Sequence, residues 1–229
     1  MEFIVLLIIN IITYITLKFI FDDNLKKLKQ ISESKELDEL TKKYPENIEI
    51  CKWYLKKLNN ESVKIEEDKN SNTTLYLVTS NKIFIANLKN SYTRIQTIAH
   101  ECLHSIQSKK MLWFNFIFSN IYLIFFAITC ILAILRKLPN RTMFLTILML
   151  VGFIYYAVRT YLENDAMIKA RFLAKEYMKE VKISNEEEIN KIINKYDELN
   201  EVGIKCTNFQ LLRNVLLKNI ILTLILIIF

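Results

Sequence analysis

Glycine and histidine are scarce in this sequence, with two residues of each among 229. Glycine reaches the backbone conformations of tight turns more readily than any other residue. Its scarcity therefore predicts few tight turns and a chain built mainly from helices. Histidine is not used as a general structural residue, because both copies, His100 and His104, lie in one short stretch.

Paired cysteines and nucleic-acid motifs are also missing. The four cysteines form no CxxC pair and have no disulfide-framework spacing, so we expect free thiols, which favour a reducing compartment. The net charge is +7, but basic residues are interleaved with acidic ones and form no basic-aromatic motif. We therefore expect contact with anionic headgroups of a lipid bilayer and no nucleic-acid partner. The cysteines are Cys51, Cys102, Cys130 and Cys206.

Charge is nearly absent from four long segments. A membrane-spanning helix needs about 20 mostly apolar residues. Leu211 and Leu212 extend the shortest segment, and Lys218 within it could snorkel to the interface. Buried core helices are the alternative, although core helices rarely contain such long uncharged runs. A cleaved signal peptide is a further alternative for the first segment, which has no basic start and no small-residue cleavage site. We expect transmembrane helices at residues 3–21, 111–135, 142–158 and 215–229.

Both histidines lie in "AHECLHSIQ", residues 99–107, where they are four positions apart. Positions i and i+4 share one face of a helix, so His100 and His104 can bind one metal ion. Glu101 lies about 100° around the helix from His100, where it can deprotonate a metal-bound water. This is the chemistry of the HExxH zinc motif. Chance is the alternative, but the surrounding residues are small or apolar, as a buried catalytic helix requires.

A catalytic zinc site needs a third protein ligand. With no third histidine, the ligand is a carboxylate or, as the weaker alternative, a cysteine. Two membrane spans after the motif return the chain to the same side, where Glu163 is the first acidic residue. An ordinary interfacial charge is the alternative role for Glu163, and Glu176 and Glu180 rank lower because they lie farther along. Asp165 could orient a histidine through its free ring N–H.

Together these segments resemble the membrane-bound neutral zinc metallopeptidases of bacteria, the YugP type. That family carries H-E-x-G-H-A-x-Q, an apolar hairpin, and then E-x-D-A-x-x-R-A. Here "AHECLHSIQ" and "ENDAMIKA" correspond, over a resemblance that covers about residues 72–229. The layout is also similar to the HtpX and CAAX-protease type. The matching residues outside the HExxH motif are Gln107, Glu163, Asp165, Ala166 and Ala170.

The resemblance implies zinc bound by His100, His104 and Glu163, with Glu101 as the general base of peptide hydrolysis. It also implies that the strand before the motif, residues 82–88, is a sheet edge that holds the substrate backbone. Three positions depart from the family pattern: Leu103 replaces glycine, Ser105 alanine and Lys169 arginine. Lys169 keeps the charge of arginine but not its bidentate geometry.

The predicted fold is mainly α and integral to the membrane, with about four transmembrane helices and a small α+β zincin-like catalytic part. "SVKIEED", "TTLYLVT" and "KIFIANL" predict three short strands, the last two forming a hairpin. The predicted division is transmembrane helix 1 (residues 1–21), the catalytic part with the HExxH helix (22–110), a transmembrane hairpin (111–162), a helical part with the third ligand (163–211) and transmembrane helix 4 (212–229).

We expect a membrane-embedded zinc metalloendopeptidase that acts on peptides or proteins. One alternative is a catalytically inactive metalloprotease-like scaffold or interaction protein, which intact Glu101 disfavours. The other is an intramembrane protease, which is disfavoured because five polar residues near the motif favour a helix at the membrane surface. Those residues are Arg94, Gln96, Gln107, Lys109 and Lys110.

The basic residues predict which side of the membrane carries the motif. By the positive-inside rule, the side with more lysine and arginine faces the cytoplasm. The motif side has more of them, so we expect a cytoplasmic active site in a bacterial cell membrane. The motif side has Lys26, Lys27, Lys29, Lys109, Lys110, Lys169, Arg171 and Arg213, and the other side has Arg136, Lys137 and Arg141.

Overall fold

The computed structural model describes residues 2–68, 71, 73–88 and 90–229. Within these residues the chain forms seven helices and three strands, which confirms the expectation of a mainly α protein with a small sheet. The elements are α1 (Glu2–Ser32), α2 (Lys35–Lys42), α3 (Asn47–Lys57), β1 (Lys64–Asp68), β2 (Leu75–Leu77), β3 (Lys82–Ala86), α4 (Arg94–Ile106), α5 (Lys109–Ile134), α6 (Arg141–Val181) and α7 (Glu186–Ile228).

The chain divides into two compact units. The apolar unit comprises Met1–Leu25, Phe114–Tyr161 and Lys205–Phe229. The motif unit comprises Lys26–Trp113 and Leu162–Ile204. Helices α1, α5, α6 and α7 contribute residues to both units, whereas α2, α3, α4 and the three strands belong to the motif unit alone.

Four helices, α1, α5, α6 and α7, are long and apolar enough to cross a membrane. Most of their apolar side chains are not covered by protein: in the apolar unit, Ile12, Phe19, Ile131 and Leu150 are each more than half exposed. A helix that is apolar all round is typical of a membrane span. The exposed surface of the apolar unit is therefore the kind that lipid covers.

Scarce glycine leaves the tight turns to other residues. Asn59, Asn81, Arg136 and Lys182 have positive φ angles, between 49° and 57°. Asparagine tolerates this left-handed region better than most residues with a side chain. Asn81 lies in the turn between β2 and β3, and its side-chain amide donates a hydrogen bond to the carbonyl of Ser62. Two of the four left-handed positions among the described residues are thus asparagines.

The three strands form one sheet in the order β1-β3-β2. β3 pairs with β1 in parallel, with Lys64 opposite Lys82, and with β2 antiparallel, with Leu75 opposite Phe84. The predicted strands and hairpin are thereby confirmed. The prediction that residues 82–88 form a sheet edge is wrong, because β3 is the central strand. Its Ile83 and Ile85 are fully buried, and a strand that is this apolar is most stable at the centre.

Helix α4 carries the HExxH motif through the core of the motif unit, and ten of its 13 residues are buried. It is a separate helix from the four membrane-length ones. The polar residues at its start do not face water, as a surface helix would require: Arg94 is 1% exposed and Gln96 is 6% exposed. Gln96 instead donates a hydrogen bond to Asn200. The polar positions of α4 are thus internal contacts of the motif unit.

Arg94 joins the start of α4 to the segment that connects α2 and α3. Its guanidinium donates hydrogen bonds of 2.8 Å to the carbonyls of Thr41, Tyr44 and Pro45, and one of 2.9 Å to the side-chain oxygen of Asn47. Carbonyls left over at the end of α2 thereby gain a charged donor. Arg94 therefore fixes where α4 begins.

All four cysteines are free, as expected from their spacing. The buried thiols of Cys51 on α3 and Cys102 on α4 lie side by side, with 3.6 Å between their sulfur atoms. Cys102 therefore serves the packing of α3 against α4.

We predict that Arg94→Met lowers the free energy of unfolding by about 3 to 5 kcal/mol, because several buried acceptors lose their only charged donor. After the partly exposed Cys130 has been blocked in the folded protein, a thiol-reactive fluorophore can follow thermal unfolding of the detergent-purified protein, since Cys51 and Cys102 are buried until it unfolds. Arg171→Met is the matched control: Arg171 pairs with Asp197 near the surface, so its loss is expected to change stability by less than about 1 kcal/mol. Equal effects of the two substitutions would contradict the role of Arg94.

Candidate metal centre

Helix α4 presents His100 and His104 on one face, one turn apart. Their Nε2 atoms are 3.0 Å apart, and the two rings are nearly perpendicular, with 4.5 Å between their centroids. Two imidazole nitrogens that converge in this way either share a proton or face a common cation. The local sequence is sufficient for this arrangement, because only the helical repeat is needed to bring the two rings together.

Glu163 reaches the same point from α6. Its Oε2 atom lies 3.4 Å from His100 Nε2 and 3.6 Å from His104 Nε2. Ligand atoms around a tetrahedral zinc, at bonds of about 2.0 to 2.1 Å, are separated from one another by about 3.3 Å. His100, His104 and Glu163 therefore form a group that could hold a metal ion. All three residues belong to the motif unit.

Access to this group is partly open. The side chains of His100, His104 and Glu163 are 18%, 10% and 14% exposed. A structural metal site is closed on all sides, whereas a catalytic one keeps a position for water or substrate. Three protein donors and partial exposure match the second kind.

Glu101 lies beside the three donors. Its Oε1 atom is 4.0 Å from His100 Nε2, and its Oε2 atom accepts a 2.7 Å hydrogen bond from the backbone N–H of Tyr76 on β2. Burial raises the pKa of Glu101, and the nearby histidines offset only part of this effect. The carboxylate is thus held on the wall of the site, with one oxygen fixed by the sheet.

Tyr76 is the residue of the site that the sequence did not reveal. It contributes a backbone N–H, which every residue except proline possesses, so no side-chain pattern could have marked it. Because β3 is the central strand, the sheet edge that reaches the motif helix is β2.

Gln107 holds His104 in place. Its side-chain amide nitrogen donates to the carbonyl of Leu162 at 2.8 Å and to Asp165 Oδ2 at 3.1 Å. This leaves Gln107 Oε1 as the acceptor 2.8 Å from His104 Nδ1. The Nδ1 atom must then carry a proton, so in the neutral ring the Nε2 lone pair points toward Glu163 and His100. Gln107 therefore selects the tautomer that a metal ligand requires.

Asp165 differs from its predicted contact. It was expected to orient a histidine directly, but it accepts a hydrogen bond from Gln107 and pairs with Lys169 at 2.5 Å. Its connection to His104 thus passes through Gln107, whose side-chain amide contacts both residues. Burial raises the pKa of Asp165, but Lys169 and Gln107 outweigh this, so that the pKa is lowered.

Neighbouring charges also shift the pKa of His104. Burial lowers the pKa of His104, but the hydrogen bond to Glu163 and the negative charge of Glu101 outweigh burial, and the pKa is raised. A proton and a metal ion compete for the Nε2 atom, so the raised pKa of His104 favours the proton, and metal binding is expected to be stronger at higher pH.

The structure leaves the other candidate ligands outside the group. Glu176 and Glu180 pair with Lys57 at 2.7 and 2.6 Å. Cys102 points toward Cys51.

Leu103 and Ser105, two of the three positions that depart from the family pattern, are packed inside the motif unit. Leu103 is 6% exposed and belongs to the hydrophobic core. The Ser105 hydroxyl donates to the carbonyl of Cys102 and accepts from Asn60. Among the described residues, the Ser105 hydroxyl makes no hydrogen bond to His100, His104 or Glu163.

No family model, curated protein or solved structure matches the chain.

We predict that Gln107→Leu weakens zinc binding by about 10- to 100-fold, because the Nδ1–H of His104 loses its acceptor and the ring is no longer oriented. Competition with a chromophoric zinc chelator measures the affinity. Lys169→Met is the control, since it removes the partner of Asp165 but leaves the three hydrogen bonds of Gln107. If Gln107→Leu bound zinc as tightly as the unsubstituted protein, the orienting role of Gln107 would be wrong.

Proposed function

We propose that this protein is a membrane-bound zinc metallopeptidase of the type that its motifs resemble. The observation that carries the proposal is the convergence of His100, His104 and Glu163, with mutual donor separations of 3.0 to 3.6 Å. Glu101 adjoins this group at 4.0 Å from His100. Two imidazoles, one ligand carboxylate and a second carboxylate that is not a ligand are the parts that zinc-dependent hydrolysis needs.

Zinc is the metal we propose for this donor set. Imidazole favours zinc, copper, iron and nickel over magnesium and calcium, which prefer all-oxygen sites. Two histidines with one glutamate is a donor set of catalytic zinc. When bound there, zinc supplies Lewis acidity, which polarises a substrate carbonyl and lowers the pKa of water to about 7.

The residues of the chain supply the proton transfers. Glu101 takes a proton from the attacking water and delivers it to the leaving amine. The hydrogen bond from Tyr76 holds one of its oxygens, and the other remains on the side of the three donors. Burial favours the protonated form of Glu101, which suits a group that must first accept a proton and then donate it.

The substrate backbone is proposed to bind along β2. Its sheet position supports this, because β2 is an edge strand of the described sheet and adjoins Glu101 through Tyr76. An extended peptide adds to such an edge by main-chain hydrogen bonds. The side chains of β2 then meet the substrate near the carboxylate that acts on it.

The apolar unit is proposed to anchor the enzyme in a bacterial cell membrane, with the motif unit in the cytoplasm. Four membrane-length helices support the anchor, and the excess of lysine and arginine beside the motif supports the orientation. Substrates are then peptides or proteins that are accessible at the cytoplasmic surface.

We predict that Glu101→Gln retains zinc but lowers kcat/KM by about 10²- to 10⁴-fold on an unfolded test protein such as casein, because the amide cannot accept the proton of water. Metal analysis of the purified protein and the rate of peptide release are the two measurements.

Two glutamates of α6 provide a matched pair of controls. Glu163→Gln is expected to lose zinc and activity together, whereas Glu176→Gln, whose partner is Lys57, keeps both. Should the unsubstituted protein bind zinc and cleave nothing, with Glu101→Gln indistinguishable from it, the inactive scaffold would be the correct function.

A further inference from the structure

β1 is the second edge strand of the sheet in the motif unit. Among the described residues it pairs with β3 alone, and four of its five residues are exposed. An edge strand presents unpaired N–H and C=O groups to any strand that approaches it, and charged side chains are the usual protection against such pairing. β1 has charged side chains at four of its five positions, "KIEED". The order of these charges therefore decides which strand β1 can accept.

The backbone groups of Ile65 and Glu67 face the open edge of β1. The N–H of Lys64 donates to the carbonyl of Asn81 at 3.0 Å, so the backbone groups of Lys64 face β3. Residues that bond to one neighbouring strand alternate with residues that face the other side, so the backbone groups of Glu66 face β3 as well. Ile65 and Glu67 are left with two N–H and two C=O groups that a further strand can pair.

A groove of about 570 Å³ lies beside this edge, between α3 and β1. Ile65 stands opposite Ile83 in the sheet, and Ile83 is fully buried. Paired residues of neighbouring strands point to the same face, so Ile65 points to the face of the sheet that the helices cover. A further strand beside β1 would direct alternate side chains to this face and into the groove. The apolar lining residues are Ile48, Trp53 and Leu55 on α3, with Val63 and Ile65.

Lysines give one wall of the groove a positive charge. Lys52 and Lys56 lie one turn apart on α3, line the groove and are exposed. Lys57 beside them pairs with two glutamates, whereas neither Lys52 nor Lys56 forms an ion pair among the described residues. Glu61 is the acidic residue among the described lining residues. A strand that fills the groove therefore fits best if it brings a carboxylate to this wall.

β1 is complementary to itself in one antiparallel register. With Ile65 opposite Ile65 of a second copy, Lys64 of each copy lies opposite Glu66 of the other. Opposite charges on facing strands attract, and Glu66 then lies between this lysine and Lys82 of its own β3, with which it pairs at 2.6 Å. Shifting the register by two residues in either direction places Glu66 opposite Glu66 or Lys64 opposite Lys64, which is unfavourable. The charges that protect the edge from other strands therefore favour one register with a second copy.

The same register fills the groove. Ile65 of the second copy lies beside Ile65 on the helix-covered face, and Glu67 of the second copy lies opposite Val63. Val63 lines the groove together with Lys52 and Lys56, so the second copy supplies the carboxylate that these lysines lack. Both copies gain this contact at once, because a two-fold axis repeats every contact.

We propose that β1 pairs with β1 of a second copy of this chain, with Ile65 at the two-fold axis, and that the two sheets form one sheet of six strands. The interface uses the same residues of both copies, as a two-fold dimer requires. A strand from a different protein would have to reproduce the same order of charges. β2 remains an edge strand in the dimer, so the proposed substrate site stays open. The inference is independent of zinc binding and of peptidase activity.

A disulfide across the two-fold axis tests the pairing. Facing Cα atoms of a hydrogen-bonded antiparallel pair are about 5.5 Å apart, a distance that a disulfide spans. Ile65→Cys, in full-length protein reconstituted in phosphatidylcholine vesicles, is expected to be oxidised by diamide to a dimer of twice the 27.2 kDa monomer mass. Leu77→Cys on the edge strand β2, which is also exposed, is the matched control and is expected to stay monomeric. Both variants carry Cys130→Ser, because Cys130 is partly exposed.

Charge substitutions added to Ile65→Cys test the register. Lys64→Glu places a glutamate opposite Glu66 of the second copy, and Glu66→Lys places a lysine opposite Lys64. Each substitution alone is expected to lower the dimer yield several-fold, because two attractive pairs become repulsive. An equimolar mixture of the two variants, with different affinity tags, is expected to restore crosslinking between the tags, because opposite charges then face each other. A misfolded variant could not be rescued in this way.

The outcomes separate this inference from the proposed function. A dimer yield of Ile65→Cys no higher than that of Leu77→Cys overturns the pairing of β1, as does a mixture of the charge variants that crosslinks no better than either variant alone. Glu101→Gln is expected to leave crosslinking unchanged, whatever its effect on cleavage. Crosslinking without any cleavage by the unsubstituted protein contradicts the proposed peptidase alone, and cleavage without crosslinking contradicts the dimer alone.

Discussion

Two carboxylates and two imidazoles share a small, largely buried space in the motif unit, and the balance of charge there is the constraint on which the site depends. The side chains of Glu101 and Glu163 are only 10% and 14% exposed, and neighbouring carboxylates disfavour each other's ionisation. Protonation of His104 relieves part of this but occupies the lone pair that a metal needs. A divalent cation held by the three donors would compensate both carboxylates and leave both rings neutral.

Within the motif unit, hydrogen bonds from several different elements hold the helix that carries the site. Arg94 ties the start of α4 to the end of α2, and Gln107 ties its end to α6. Tyr76 on β2 holds Glu101. Each connection joins segments that are distant in the sequence, so each both stabilises the unit and restricts the site. The stability of the unit and the geometry of the site therefore depend on the same few polar contacts.

The apolar unit follows a different physical rule. Its helices expose apolar side chains and bury several polar ones, among them Tyr122, Thr129 and Asn219. In water this would be an unfavourable surface, but in lipid the helix exteriors need no polar groups and the contacts between helices become the place for them.

The sequence alone determined the helices, the three strands and the pairing of His100 with His104, because these depend on periodicities of a few residues. It also singled out Glu163, through the return of the chain after two apolar segments, and the structure places this residue beside the two histidines. Only the tertiary structure decided that β3 is central and β2 is the edge, that Tyr76 holds Glu101, and that Asp165 acts through Gln107. Strand order and hydrogen bonds between distant segments depend on how whole elements pack. Every residue except proline has a backbone N–H, so the sequence does not reveal which one will contact Glu101.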